Sequence, residues 1–253
     1  MTISVEIINQ LSDNYSYLIS GNKDNSSIII DPAESDKILN VLKKKKLNLN
    51  YIFITHHHSD HTSGVADLVR AYPEVKVFSP SELNSISVNV ISDSNKITTN
   101  LNEFEIIHTP GHTLDHIVLC DLKNNLLFVG DVLFRLGCGR VFEGTLEQMH
   151  SSLIKLLDLS DRMLVYCGHE YTLNNLKFLE HIFKKNNILE SVKKDIIADL
   201  NSKTRSIPFY LGDEKKYNPF LNQNCEMALE LRSKNNYSDF EFFKYLRQEK
   251  DSF

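Results

Sequence analysis

Four imidazoles and a carboxylate crowd six consecutive residues, His56-His57-His58-Ser59-Asp60-His61, directly after the apolar run Tyr51-Ile52-Phe53-Ile54-Thr55. Imidazole nitrogen suits zinc, iron and related ions, and an added carboxylate suits a hydrolytic site that keeps a coordination position open. In an extended chain successive side chains alternate, so His56 and His58 point to one side and His57 to the other. Asp60 and His61 then follow as the chain turns into a helix. A surface histidine cluster is the alternative, but it would have no reason to follow a buried strand with an Asp at that offset.

Three more candidates stand at the ends of apolar runs. His112 follows 104–107 in His108-Thr109-Pro110-Gly111-His112, Asp131 follows 126–129 in Gly130-Asp131, and His169 follows 163–167 in Gly168-His169-Glu170. Each comes just after a Gly, which lets the backbone turn sharply and approach a crowded centre. Alone, each would read as an ordinary loop residue. With His56, His58, Asp60 and His61 they make seven ligands, too many for one tetrahedral ion. Two divalent ions sharing Asp131 account for the count. Asp60 and Asp131 are also the candidate catalytic carboxylates. The remaining histidines have no place in this set: His57 and His108 are expected to support ligands or pack, His150 and His181 fall on predicted helices as structural residues, and His116 has no assigned role.

Elements that end where the ligands begin must position them. Short β-branched and aromatic runs at 15–19, 27–30, 51–55, 75–78, 104–107, 117–120, 126–129 and 163–167 read as strands. The segment from Met1 to Glu6, without a basic stretch ahead of an apolar one, reads as a first strand and not as a targeting peptide. Helical patterns interleave at 35–45, 64–71 and 145–157, the last opening with Thr145 and Gln148 at capping-box spacing. From Tyr171 onward only helical spacing is evident, in Leu173, Leu176, Leu179 and Ile182, in Ile188, Leu189, Val192 and Ile196, and in Phe240, Phe243 and Leu246. A loop holding Pro208, Gly212 and Pro219 interrupts it, and no strand is expected there. The organisation expected is a β-rich α/β domain over 1–170 and a helical domain over 171–253.

Composition bounds the rest. The 253 residues carry 28 Lys+Arg against 33 Asp+Glu, a formal charge of −5, with 42% hydrophobic residues. Such a chain buries a globular core, and the mild acidity disfavours a general nucleic-acid binder. No apolar run approaches the roughly 18 residues that cross a bilayer. Four scattered cysteines without a CxxC pair read as reduced thiols, so a cytoplasmic protein is expected. The run Lys43 to Lys46 reads as a solvated helix end.

The HxHxDH pattern at His56 to His61, followed in order by His112, Asp131 and His169, resembles the metallo-β-lactamase superfamily of hydrolases. That resemblance implies an αββα sandwich with a dinuclear site at its edge. It implies further that residues matching His56, His58 and His112 hold one ion, those matching Asp60, His61 and His169 the other, and that the one matching Asp131 bridges both. More narrowly, Asp13-Asn14-Tyr15-Ser16-Tyr17-Leu18-Ile19, Gly137-Cys138-Gly139-Arg140, Cys167-Gly168-His169-Glu170-Tyr171-Thr172-Leu173-Asn174-Asn175-Leu176, Tyr217-Asn218-Pro219-Phe220 and Arg247-Gln248-Glu249-Lys250-Asp251 resemble the glyoxalase II family.

What glyoxalase II implies is hydrolysis of the thioester S-D-lactoylglutathione to D-lactate and glutathione, part of methylglyoxal detoxification. The nucleophile would be a water acidified between two ions, expected to be zinc, with iron or manganese as alternatives. The substrate contacts carried over are Arg140, Tyr171, Arg247 and Lys250. The residues agree chemically, because glutathione brings carboxylates and Arg247 and Lys250 lie three apart on one helix face. Arg140 replaces the more usual Lys, and Phe142 stands where many relatives have Tyr, removing a hydroxyl contact. The expected partner is a small-molecule thioester, with no nucleic acid or membrane, and one chain suffices as a monomer. The alternative is a persulfide dioxygenase or another metal-dependent hydrolase of the superfamily. A dioxygenase would use one iron and oxygen and would lack the long helical extension, so the region after 170 disfavours it.

Overall fold

The computed structural model describes residues 2–184 and 186–253. Met1, at the head of the expected first strand, lies outside them. Chain contacts divide the molecule into two compact units, one running up to His108 and including Asp115–Asn124, the other Thr109–Leu114 with Asn125–Phe253.

In the first unit a six-stranded sheet runs in simple order through β1 (Ile3–Gln10), β2 (Asn14–Gly21), β3 (Ser26–Ile30), β4 (Asn48–Phe53), β5 (Lys76–Ser79) and β6 (Asn89–Val90). The first two pairings are antiparallel, and β3 to β6 are parallel neighbours. Parallel strands are usually covered on both faces and read as unbroken apolar runs, and Ile28, Ile29 and Ile30 are fully buried. Two helices supply cover. On α1 (Ser35–Lys45), Ile38 and Leu42 sit one turn apart and are buried, and on α3 (Val65–Ala71) Val65 and Leu68 do the same. They join Ile29, Ile52, Ile54 and Val77 in one core. Lys46 caps α1 in the left-handed conformation at φ 56°, behind Lys43, Lys44 and Lys45 in the last turn, where cations complement the helix dipole. The lysine run is exposed, a solvated helix end. The unit also holds the short helix α2 (Ser59–Thr62) and the antiparallel strands β7 (Lys96–Thr98), β8 (Glu103–His108) and β9 (Ile117–Asp121).

In the second unit β10 (Leu126–Gly130) pairs in parallel with β13 (Leu164–Cys167), and β11 (Leu133–Phe134) and β12 (Gly137–Cys138) form a small hairpin between them. Helix α4 (Leu146–Leu157) carries the capping box expected at Thr145 and Gln148. The helices α5 (Thr172–Ile182), α6 (Asn187–Lys203), α7 (Leu211–Tyr217), α8 (Glu226–Lys234) and α9 (Asp239–Ser252) follow. They bury Phe178, Phe220, Phe242 and Phe243. Two features depart from the sequence expectation. A two-residue strand, β14 (Phe209–Tyr210), pairs antiparallel with β13 where no strand was expected. The stretch between Pro208 and Pro219, expected as loop, winds into α7, anchored by Leu211 N–H on Met163 O at 2.9 Å and Gly212 N–H on Asp161 O at 3.1 Å. Two residues show no periodicity, and a seven-residue helix with Gly at its second position carries a weak signal.

The expected division at 170 falls inside the second unit, between β13 and α5. All four cysteines are buried, and none forms a disulfide among the described residues. Among the described residues no helix is long and apolar enough to cross a membrane.

Candidate metal centre

The first unit brings together His56, His58, Asp60 and His61. Strand β4 ends at Phe53, and the chain stays pinned as it leaves the sheet: Ile54 N–H donates to Phe78 O at 2.9 Å and Thr55 N–H to Asp31 Oδ1 at 2.8 Å. His56 is buried and His57 turns outward, its Nδ1 lying 3.0 Å from Asp115 Oδ1. Asp115 also accepts from Ser81 Oγ at 2.6 Å. His56 Nε2 and His58 Nδ1 face each other at 3.1 Å. For an ion bound tetrahedrally through nitrogen at about 2.0–2.1 Å, that edge would be roughly 3.3 Å, so the pair fits two ligands of one centre. His61 Nε2 lies 3.7 Å from Asp60 Oδ2, and the rings of His56 and His61 are 4.2 Å apart.

Neighbouring groups fix these side chains. Buried Asp31 accepts from Thr55 Oγ1 at 2.8 Å and lies 3.0 Å from His61 Nδ1 through the same Oδ2. Thr55 Oγ1 in turn lies 3.0 Å from His56 Nδ1. A carboxylate on the far nitrogen of a ligating imidazole sets its tautomer and raises its basicity. Asn14 Nδ2 donates to Asp60 Oδ2 at 2.9 Å and to Asp60 O at 3.3 Å, orienting that carboxylate.

The second unit brings together His112, Asp131 and His169. Asp131 Oδ2 is 3.5 Å from His112 Nε2 and 3.2 Å from His169 Nε2, so one carboxylate oxygen stands between two imidazoles. All three residues are buried. A bridging carboxylate flanked by a ligand of each ion would have this form. Glycine permits the crowding: a Cβ on Gly139 would lie 1.8 Å from Asp131 O, and Gly130, at φ 45°, turns the chain off β10. His112 Nδ1 donates to Arg140 O at 2.8 Å, so Nε2 carries the lone pair that a metal ligand would use. Tyr171 stacks on His169, with centroids 4.7 Å apart and planes 7° from parallel. In each unit imidazoles stand with a carboxylate, a donor chemistry that suits borderline divalent ions.

Three of the four expected substrate residues line one cavity of about 390 Å³ in the second unit: Arg140, Arg247 and Lys250, with Asn174, Asp251 and Phe253. The fourth, Tyr171, lies against His169 and Phe134. Arg140 is largely exposed, its guanidinium 5.6 Å from the Phe142 ring. Phe142 is itself 60% exposed, and its ring sits 5.2 Å from that of His112. Lys250 stacks on Phe178 at 5.0 Å. Burial, with the Arg247 charge beside it, pulls its ammonium down to about 8. Arg247 is 97% buried, as its 3% exposure records, and donates to the protein's own backbone and to Asp251.

Sequence reasoning did not single out Asp31, Thr55 or Asn14 as supports, nor His116, whose buried ring tilts against His56 at 5.0 Å. Asp31 had a readable signal. Ile28-Ile29-Ile30-Asp31-Pro32 repeats the apolar-run-then-Asp pattern that marked Asp131. His150 is structural as expected, buried with Nε2 3.2 Å from Gln223 Oε1 and its ring near Phe240 and Phe243.

Comparison with known proteins adds an independent line. Residues 11–87 and 87–169 match the family described as the metallo-beta-lactamase superfamily, and residues 170–253 match hydroxyacylglutathione hydrolase C-terminus. The chain is 38% identical to a hydroxyacylglutathione hydrolase of Pectobacterium atrosepticum, over 96% of this chain and 97% of that one. It is 39% identical to another from Pseudoalteromonas translucida, over 99% and 100%. Among solved structures, ETHE1 from Myxococcus xanthus superposes with a TM-score of 0.64 at 23% identity, over 97% of this chain and 96% of that one. The fold is therefore the metallo-β-lactamase fold with a C-terminal helical region, as the sequence implied. The chain belongs to the hydroxyacylglutathione hydrolase family, within the metallo-β-lactamase superfamily of hydrolases.

Proposed function

We propose that this chain hydrolyses S-D-lactoylglutathione to D-lactate and glutathione, with His56, His58 and His112 holding one divalent ion, Asp60, His61 and His169 the second, and Asp131 bridging them. The observation that carries the metal assignment is Asp131 Oδ2 standing between His112 Nε2 and His169 Nε2. Within the first unit, His56 and His58 are paired and Asp60 adjoins His61. The near full-length identity to named hydroxyacylglutathione hydrolases supports the reaction.

Two such ions would supply a water of near-neutral pKa and a Lewis acid for the thioester carbonyl. The chain's own residues do the rest. Asp60, fixed by Asn14, orients the attacking water, and Asp131 keeps its carboxylate between His112 and His169. His112 and His61 are held in their ligating tautomers by Arg140 O and Asp31. The leaving group is a thiol whose ordinary pKa is about 8.5–9, so it departs as thiolate without a strong acid. No Ser or Cys nucleophile is needed, and Cys167, whose thiol burial pushes well up, is a packed core thiol.

The glutathione carboxylates are met by Arg140, Arg247 and Lys250 around the cavity, and Tyr171 offers its hydroxyl close to His169. Asp251 already lies 3.0 Å from Arg247 Nη2 and 3.6 Å from Arg140 Nε, so an incoming carboxylate competes with it for the same cations. The residues up to 170 serve as the metal-binding domain and 171–253 as the substrate domain. Zinc is the proposed ion, methylglyoxal detoxification the role, cytoplasm the compartment and monomer the state.

The assay is thioester loss from S-D-lactoylglutathione alongside oxygen uptake on glutathione persulfide. Thioester loss that chelation abolishes, without oxygen uptake, is expected. Oxygen uptake without thioester loss would replace this reading with a persulfide dioxygenase.

A further inference from the structure

Arg247 is a poor candidate for a purely substrate-facing cation. It is 3% exposed, its Nη1 donates to Cys138 O at 3.1 Å and lies 3.4 Å from Gly139 O, and its Nη2 donates to Asp251 Oδ1 at 3.0 Å. Its Nε is buried with no hydrogen-bond partner among the described residues, and its guanidinium packs 5.6 Å from the Phe220 ring. A guanidinium spends its planar fork on fixed acceptors when it sets geometry. The two backbone acceptors, Cys138 O and Gly139 O, are consecutive, and the next carbonyl along, Arg140 O, takes the Nδ1 proton of His112 at 2.8 Å. The same segment is wedged against the bridging carboxylate's backbone, where Gly139 has no room for a Cβ beside Asp131 O.

We propose that Arg247, on the last helix, is a positioning residue for His112: by gripping the Cys138 and Gly139 carbonyls it holds Arg140 O where His112 must donate, and so fixes one ligand of one ion. This rests on His112 being a ligand, as proposed above. The helical extension would then serve the metal centre in the absence of substrate as well as binding it.

Stepwise metal affinity of the substrate-free chain tests this, by titration against a chromophoric chelator. Wild type, Arg247→Met, Arg247→Lys and Lys250→Ala are compared. Lys250 lines the same cavity and serves as the control, since among the described residues it makes no hydrogen bond to the 138–139 carbonyls that Arg247 grips. Changing a partner that orients a metal ligand costs roughly 10–100-fold in affinity. Arg247 acts one step further out, so about tenfold weaker binding of one ion is expected in Arg247→Met, with the other ion unchanged. Arg247→Lys keeps the charge but has one ammonium nitrogen in place of the planar fork, and a loss of about threefold at the same ion is expected. Lys250→Ala should keep both affinities and raise KM alone. If Arg247→Met does not fold, Arg247→Lys decides the matter. Wild-type affinity for both ions in the folded Arg247 variants would overturn the proposal. Fewer than two ions on the wild-type chain would instead overturn the seven-ligand reading on which it rests.

Discussion

With His61 a ligand as proposed, Asp31 is the single residue expected to decide how well that ion is held. Its Oδ2 meets Thr55 Oγ1 and His61 Nδ1 and its Oδ1 takes the Thr55 amide, so one carboxylate fixes the exit of β4 and the tautomer of a ligand. Asp31→Asn keeps the shape and removes the charge, and a 10–100-fold loss of metal affinity in a chelator competition is expected. Unchanged affinity would leave Asp31 a loop anchor and nothing more. Lys250 gives a second residue-level outcome. With its ammonium titrating near 8, it is charged at pH 7 and largely neutral at pH 9. KM for the glutathione thioester should therefore rise across that interval, up to about tenfold if only the cation binds. Lys250→Arg, charged throughout, should flatten the profile. The candidate ligands stood out in the sequence because imidazole and carboxylate clustering after apolar runs has few other meanings. Asp31 was passed over although Ile28-Ile29-Ile30-Asp31 repeats the pattern that marked Asp131, because a lone strand-end Asp looks the same whether it meets water or a histidine.

At the scale of elements, the β11–β12 hairpin links Asp131 to Arg140 and is held from α7. Glu214 accepts from Leu136 N–H at 2.8 Å, and Asn218 Nδ2 reaches Gly137 O at 3.0 Å and Glu214 Oε2 at 2.9 Å. Asn175 Nδ2 adds a bond to Arg135 O at 2.9 Å. Burial pushes the Glu214 carboxyl up to about 7 from its ordinary 4.5, against the Leu136 amide and the Arg135 charge, which pull it down. The folded chain thus keeps this proton to higher pH than the unfolded chain. The stability it contributes is present below pH 4.5 and lost as pH rises through 7, by an amount on the order of 3 kcal/mol. Glu214→Gln should remove that slope, so its Tm should gain on wild type between pH 5 and pH 8. Parallel Tm curves would show that Glu214 is already ionised when folded. The strands that frame the ligands were readable from runs of β-branched residues. The hairpin, β14 and α7 were not, since elements of two to seven residues are set by anchors from far along the chain, Asn218 for the hairpin and the Met163 and Asp161 carbonyls for α7.

For the molecule as a whole, the sequence reading and the family matches put a boundary at 170, and the chain contacts put it elsewhere. Both are informative. The family boundary marks where the helical extension begins, and the contact units show that this extension packs into one body with β10 to β13, which carry Asp131 and lead into His169. That arrangement suits a hydrolase in which the substrate's peptide is held by the extension while its thioester meets the ions. Fold and reaction were legible because the ligand order and the Arg247-Gln248-Glu249-Lys250-Asp251 segment are specific together. The number of ions at work is the central claim, and one titration addresses it directly. The chelated chain is reloaded stepwise with zinc, and S-D-lactoylglutathione hydrolysis is followed against ions bound per chain. Activity that climbs until two ions are bound and then levels off is the expected result. Full activity at one ion per chain, or none at two, would contradict it.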